Sequence, residues 1–153
     1  MARVEDIPQP TRDAAVSIAC PSFDTAPFVT GPALSRRKVA IVSSAALIPR
    51  GAQPFPIGSA EARFLPASIP PNDLLISHVS INFDRAGFQR DVNVVYPLDR
   101  LHEMAADGVI GGVADTHYTV MGSTDPVGMT EAADRIAAQM RLEGADTVLL
   151  SPV

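Results

Sequence analysis

One cysteine, no tryptophan and only 5% aromatic residues leave several functions without the side chains they need. The lone Cys20 excludes an internal disulfide framework and a paired-cysteine metal knuckle, which makes the reducing cytoplasm the expected compartment. So few rings give no stacking platform for bases. Basic residues are scarce too: 12 Lys and Arg against 17 Asp and Glu leave a net charge of −5, the wrong sign for a phosphate backbone. Long apolar runs are missing, and the run from Val39 to Val42 is far too short to span a bilayer. The first residues carry Arg3, Glu5 and Asp6 where an export signal would have an apolar core. Neither nucleic acid nor membrane is therefore expected as a partner.

What is present suits a globular chain: 153 residues, 46% hydrophobic and 19% charged, enough to bury a core without covalent staples. Eleven of the 14 prolines lie between Pro8 and Pro71. Proline removes a backbone donor and fixes φ, so the first half cannot be mainly helical. Residues 1–35 read as an irregular proline-rich arm with Phe23, Phe28 and Val29 as apolar anchors, wrapping its own domain or crossing to a partner. Residues 36–153 read as a single domain.

Within it, Lys38 to Ser44 is a β-branched apolar run suited to a strand buried on both faces. Residues 45–58, broken by Pro49, Gly51, Pro54, Pro56 and Gly58, read as a loop, and Ala62 to Leu65 as an edge strand. Asp73 to Ser77 is expected to be the next buried strand, ending at His78. Leu98, Leu101, Met104 and Ala105 make one helical face after Pro97, with Gly108 as its left-handed stop. Tyr118 to Met121 reads as a short strand. A second helix opens at Asp125-Pro126, carries Met129, Ala132, Ala133, Ile136, Ala137 and Met140 inward, and stops at Gly144. Asp146 to Ser151 is expected to be a third buried strand. Strands alternating with helices predict an α/β fold with a largely parallel sheet and flanking helices. Ligands then bind beyond the carboxyl ends of the strands. Ser43, Ser44, His78, Gly122, Ser123, Thr124 and Ser151 lie there, His78 as the catalytic candidate and the others as substrate-binding candidates. The last strand is followed by only two residues, where an α/β unit would continue into a loop and helix.

The remaining chemistry is thin. His78, His102 and His117 match no zinc spacing, so no metal is expected. His78 is an active-site residue or a hydrogen-bonded loop histidine. Gly122 to Asp125 precedes a helix N-terminus and is an anion cradle or simply a cap. Gly108-Val-Ile-Gly-Gly112 leaves a helix instead of opening one, so it is no dinucleotide fingerprint. Neither a Walker lysine nor a serine nucleophile elbow is present.

Several stretches, in order, resemble a known family: Pro27-Phe-Val-Thr-Gly-Pro32, Lys38-Val-Ala-Ile-Val-Ser-Ser-Ala-Ala46, Asn72-Asp-Leu-Leu-Ile-Ser-His78, Asp91-Val-Asn93, Tyr96-Pro-Leu-Asp-Arg-Leu101, Ala106-Asp-Gly-Val-Ile-Gly111, Met121-Gly122 and Ile136-Ala-Ala-Gln-Met-Arg-Leu-Glu-Gly-Ala-Asp-Thr-Val-Leu-Leu150. The sequence resembles the glycine/betaine/sarcosine/D-proline reductase selenoprotein B family, in particular its D-proline reductase members. That resemblance implies a selenocysteine-dependent oxidoreductase subunit that cleaves a C–N bond of an amino acid or related amine. It implies a selenocysteine just past Val153, a pyruvoyl group on a partner subunit and a thiol reductant. The chain is then expected to end at the selenocysteine codon and to be inactive as it stands, with its uncovered last strand favouring a homo-oligomer. Val79 and Ser80 stand where the family often has glycines, and Gly122-Ser-Thr-Asp125 where its glycine-rich run lies. The alternative is a non-catalytic α/β binding or assembly domain.

Overall fold

The structure, a computed structural model, describes residues 3–17, 22, 24–80 and 85–153. Cys20 and Phe23 lie outside the described residues. Among its described residues the arm contains one short α-helix, α1 (Thr11–Ser17), before regular structure begins. Phe28 and Val29 do not anchor it: they are 91% and 87% exposed.

The central strand is β1 (Lys38–Ser43). Its residues alternate between two cores, with Val39 and Ile41 on one face and Ala40 on the other, as the two-residue period of a strand requires. Along one edge of β1 run β5 (Gly112–Val113) and then β6 (Thr116–Val120), and along the other runs β7 (Thr147–Ser151), all parallel to it. β3 (Ala62–Pro66) closes the far side of β6 antiparallel, as the edge strand that the sequence predicts. The fold is thus α/β with a mostly parallel sheet.

Helices cover both faces. α3 (Leu98–Ala106) buries Leu98 and Leu101 with Val39, Ile41, Val95 and Tyr96. α4 (Thr130–Glu143) buries Ala132, Ile136 and Met140 with Ala40, Tyr118 and Ala145. Gly108 and Gly144 take the expected left-handed stops, at φ 71° and 68°. The short α2 (Arg85–Arg90) packs Phe88 against the α3-side core.

Within residues 36–153, three further expectations give way. Asp73 to Ser77 does not enter the parallel sheet: β4 (Leu74–Ile76) pairs antiparallel with β2 (Leu47–Pro49) in a separate two-stranded ribbon, and β2 lies inside the expected loop. The cause is a turn at Ala46, which holds φ 52° and carries the chain out of the sheet. Its N–H donates to the Val120 carbonyl and its carbonyl accepts from Ser77, which fixes the turn at both ends. The second correction is β7, which is apolar but not buried. It is an edge strand with β1 as its sole pairing partner among the described residues, and Val148, Leu149 and Leu150 are all exposed. The third is Ala133, which is exposed on α4 and does not join the core stripe. No helix among the described residues is long and apolar enough to cross a membrane.

Candidate functional site

Parallel pairing brings the carboxyl ends of β1, β6 and β7 side by side, with Ser43 opposite Ser151 and beside Thr119. One residue on, the Ser44 N–H donates to the Ser151 carbonyl (3.1 Å), and the Gly122 N–H donates to the Ser44 carbonyl (3.1 Å). The chain leaving β7 turns back over this edge, where the Val153 N–H donates to Ser44 Oγ (2.9 Å).

His78 arrives from the ribbon. The Ser77 N–H donates to the Ala46 carbonyl, which lays the end of β4 over the end of β1. His78 is buried, and its Nε2 lies 3.1 Å from where a Gly122 side chain would begin. Gly122 is what permits that approach. The Ser80 N–H donates to His78 Nδ1 (3.1 Å), so Nδ1 is the acceptor and the ring hydrogen sits on Nε2, toward Gly122 and Ser44. Burial first, and then the charge of Arg85, hold the His78 pKa below the ordinary imidazole value. Arg85 donates to the carbonyls of His78 (2.7 Å) and Ser80 (3.3 Å). The imidazole is thus held neutral, with Arg85 beside it.

The structure therefore brings Ser43, Ser44, His78, Gly122 and Ser151 together around Val153. Their hydroxyls differ in availability. Ser43 and Ser151 both donate to the Val95 carbonyl, at 2.8 and 3.0 Å, and Ser43 has no exposed surface. Ser44 Oγ accepts from Val153 and keeps its own hydrogen to give. Thr124 is turned elsewhere: its hydroxyl donates to the Ser59 carbonyl (2.7 Å). Ser123 is an exposed turn residue next to Gly122. Of the two readings for the loop before α4, the structure supports the cap. The Asp125 carboxylate accepts from the Val127 N–H (3.0 Å), so an anion of the chain's own already holds that position.

Two contributors were not visible in the sequence. Val95 acts through its backbone carbonyl, which no motif marks, and Ala46 occupies a left-handed turn where glycine is the usual signal. His102 is exposed on α3, and His117 is buried on β6, away from this edge.

The sequence profile of the family described as glycine/sarcosine/betaine reductase selenoprotein B matches residues 15–153. The chain is 29% identical over 116 residues to the D-proline reductase subunit gamma of Acetoanaerobium sticklandii, covering 74% of this chain and 47% of that protein. It is 30% identical over 139 residues to the glycine reductase complex component B subunit gamma of Carboxydothermus hydrogenoformans, covering 86% and 32%. Similarity to the sarcosine reductase complex component B subunit beta of Peptoclostridium acidaminophilum is 27% over 139 residues, covering 86% and 31%. The chain thus spans about a third to a half of the length of these relatives. No solved structure matches it.

Proposed function

We propose, from the premise that this chain belongs to the glycine/sarcosine/betaine reductase selenoprotein B family, that its strand ends form the floor of the reductive site in a subunit of an amino-acid reductase complex. The observation that carries this reading is the contact of Val153 with Ser44 beside His78, which brings the chain leaving β7 onto the candidate site. The resemblance implies a redox selenocysteine directly after that residue. It would supply the nucleophile, and a pyruvoyl group on a partner subunit would supply electron withdrawal at the substrate nitrogen. Overall the C–N bond breaks, the carbon gains hydrogen, the nitrogen leaves with a proton, and a dithiol is oxidised to a disulfide.

The residues present suit this chemistry. Exposed Gly122 and Ser123 leave the mouth open toward a partner-borne group. A neutral His78 bearing its hydrogen on Nε2 is a donor for a substrate carboxylate, with Arg85 adding positive potential behind it. His78 orients the carboxylate in this reading. Its lowered pKa makes it a poor proton store for the departing nitrogen. Ser44 supplies a second donor.

The test has two steps. The codon after Val153 is read from the gene, where an in-frame UGA followed by coding sequence is expected. The 153 residues alone give no dithiol-dependent turnover of D-proline, glycine or sarcosine, whereas the protein carrying selenocysteine or cysteine at the next position, with its partner subunit, turns one of them over. In that protein His78→Ala raises KM by about tenfold or more through loss of a charge-assisted hydrogen bond, with an unchanged amide spectrum. A UAA or UAG stop with no downstream reading frame, or turnover indifferent to His78→Ala, removes the proposal and leaves the assembly-domain reading.

A further inference from the structure

We infer that Asn93 is a positioning residue, acting through the Val95 carbonyl to fix where β1 and β7 end at the site; the inference rests on the functional reading above. The Val95 carbonyl is buried and accepts two hydroxyl hydrogens, from Ser43 (2.8 Å) and Ser151 (3.0 Å). Those serines face each other in register across β1 and β7. A carbonyl has two lone pairs and a hydroxyl has one hydrogen, so the fork is saturated. Neither serine has a hydrogen left to give to a substrate. Their task is to tie the two strand ends to one point.

That point must itself be held, and Asn93 holds it. Val95 ends a 3₁₀ turn, Val92–Val94, whose cap Asp91 accepts from the Asn93 N–H (2.9 Å). The Asn93 carboxamide then spends both amide hydrogens, one on Asp91 (2.8 Å) and one on Asp99 (2.9 Å), while its oxygen accepts from the Asp99 N–H (3.1 Å). Asp99 lies in the first turn of α3, which is seated on the sheet through Leu98 and Leu101. Hydrogen bonds, with the short backbone span from Asn93 to Val95 between them, therefore link α3 to Ser151, and two residues later Val153 meets Ser44. Only a carboxamide can offer two donors to two carboxylates and an acceptor to an N–H at once. Aspartate would set a third carboxylate between two, and alanine would release the clasp.

The test uses the 153-residue chain and three variants: Asn93→Ala, Ser151→Ala and Ser151→Thr. Amide hydrogen exchange is read residue by residue. Asn93→Ala and Ser151→Ala are expected to speed exchange at Ser44 and Val153 by about tenfold or more while mid-strand amides of β1 and β6 keep their rates. Ser151→Thr, which keeps the hydroxyl, restores protection. Unchanged rates at Ser44 and Val153, or a uniform rise over the whole sheet, overturns the inference. A second arm uses the reductase completed with selenocysteine or cysteine after Val153, assayed on D-proline, glycine and sarcosine with a dithiol. Ser151→Ala should lower kcat about tenfold at unchanged KM, because the hydroxyl aims the reacting chain and does not hold substrate. A raised KM at unchanged kcat overturns it. Absence of turnover in the parent, with the exchange result intact, removes the functional reading and leaves the clasp standing.

Discussion

Gly122 shows how little space a single position leaves for variation. A methyl group there would begin 2.8 Å from the Ser44 carbonyl oxygen, 3.0 Å from Ser44 Cβ and 3.1 Å from His78 Nε2. The first two neighbours belong to the turn that ends β1, whose Ser44 carbonyl also accepts from Gly122 itself. They cannot yield cheaply. Gly122→Ala is therefore expected to push His78 away from the strand end and to cost about 1–3 kcal/mol, the usual range for overpacking. Urea unfolding measures the cost, and the His78 ring resonances report the displacement. Unchanged stability with unmoved resonances would count against this crowding. The residues around Gly122 divide by what their hydrogens already do. Ser44 accepts from Val153 and keeps its own hydrogen, whereas Ser43, Ser151 and Thr124 have given theirs to backbone carbonyls. Residue type alone does not distinguish these hydroxyls, which is why Ser43, Ser44, Thr124 and Ser151 stood together as substrate-binding candidates in the sequence.

At the level of elements, legibility followed the strength of the local signal. α3 and α4 carry apolar spacing and glycine stops, and the structure keeps both, but the cap expected for the second helix at Asp125 serves a 3₁₀ turn, Pro126–Met129, and α4 begins only after it. β1 was legible because Val39, Ile41 and Val42 make a short β-branched run ended by small polar residues. The strand-end location of Ser43, Ser44, Gly122 and Ser151 followed from that alternation. β4 has three residues and no directional signal, so its antiparallel pairing with β2 depended on the hidden turn at Ala46. Asn93 and Val95 were illegible as site residues because the Val95 contacts reach 52 and 56 positions along the chain. β7 misled by composition: Val148, Leu149 and Leu150 read as core, yet the strand lies at the edge and exposes all three. An apolar edge strand with no lysine, proline or bulge within it is a template for pairing with another chain. The 153 residues are therefore expected to self-associate as concentration rises, and Leu149→Lys to weaken that association. Sedimentation velocity checks it, and a monomer at the highest soluble concentration would count against the edge.

Across the whole molecule, the two cores on opposite faces of β1 are linked by a histidine that must stay neutral. His117 lies on β6, fully buried, with its ring edge-on to Tyr96 at 5.5 Å. Its Nδ1 accepts the Ile41 N–H (3.0 Å), taking the place of a backbone acceptor where the chain between β5 and β6 leaves the ladder. Protonation at Nδ1 would abolish that bond. Burial above all, with the nearby His102, drives the His117 pKa down to about 4, against smaller opposing effects of Glu143 and Asp115. The unfolded chain returns the ring to its ordinary value of 6.5. Between these values the unfolded state binds the extra proton, so stability is complete above about pH 6.5 and falls as the pH drops toward 4. The difference amounts to about 3 kcal/mol at 1.36 kcal/mol per unit. His117→Asn separates this effect from carboxylate titration, because its side-chain oxygen can still accept from Ile41 while carrying no proton equilibrium. The variant is expected to be less stable at pH 7 and to show a shallower loss between pH 6.5 and 4 in urea unfolding. Equal slopes in the two proteins would mean that His117 opens to solvent before the fold does, and that the junction of the two cores is not what acid attacks first.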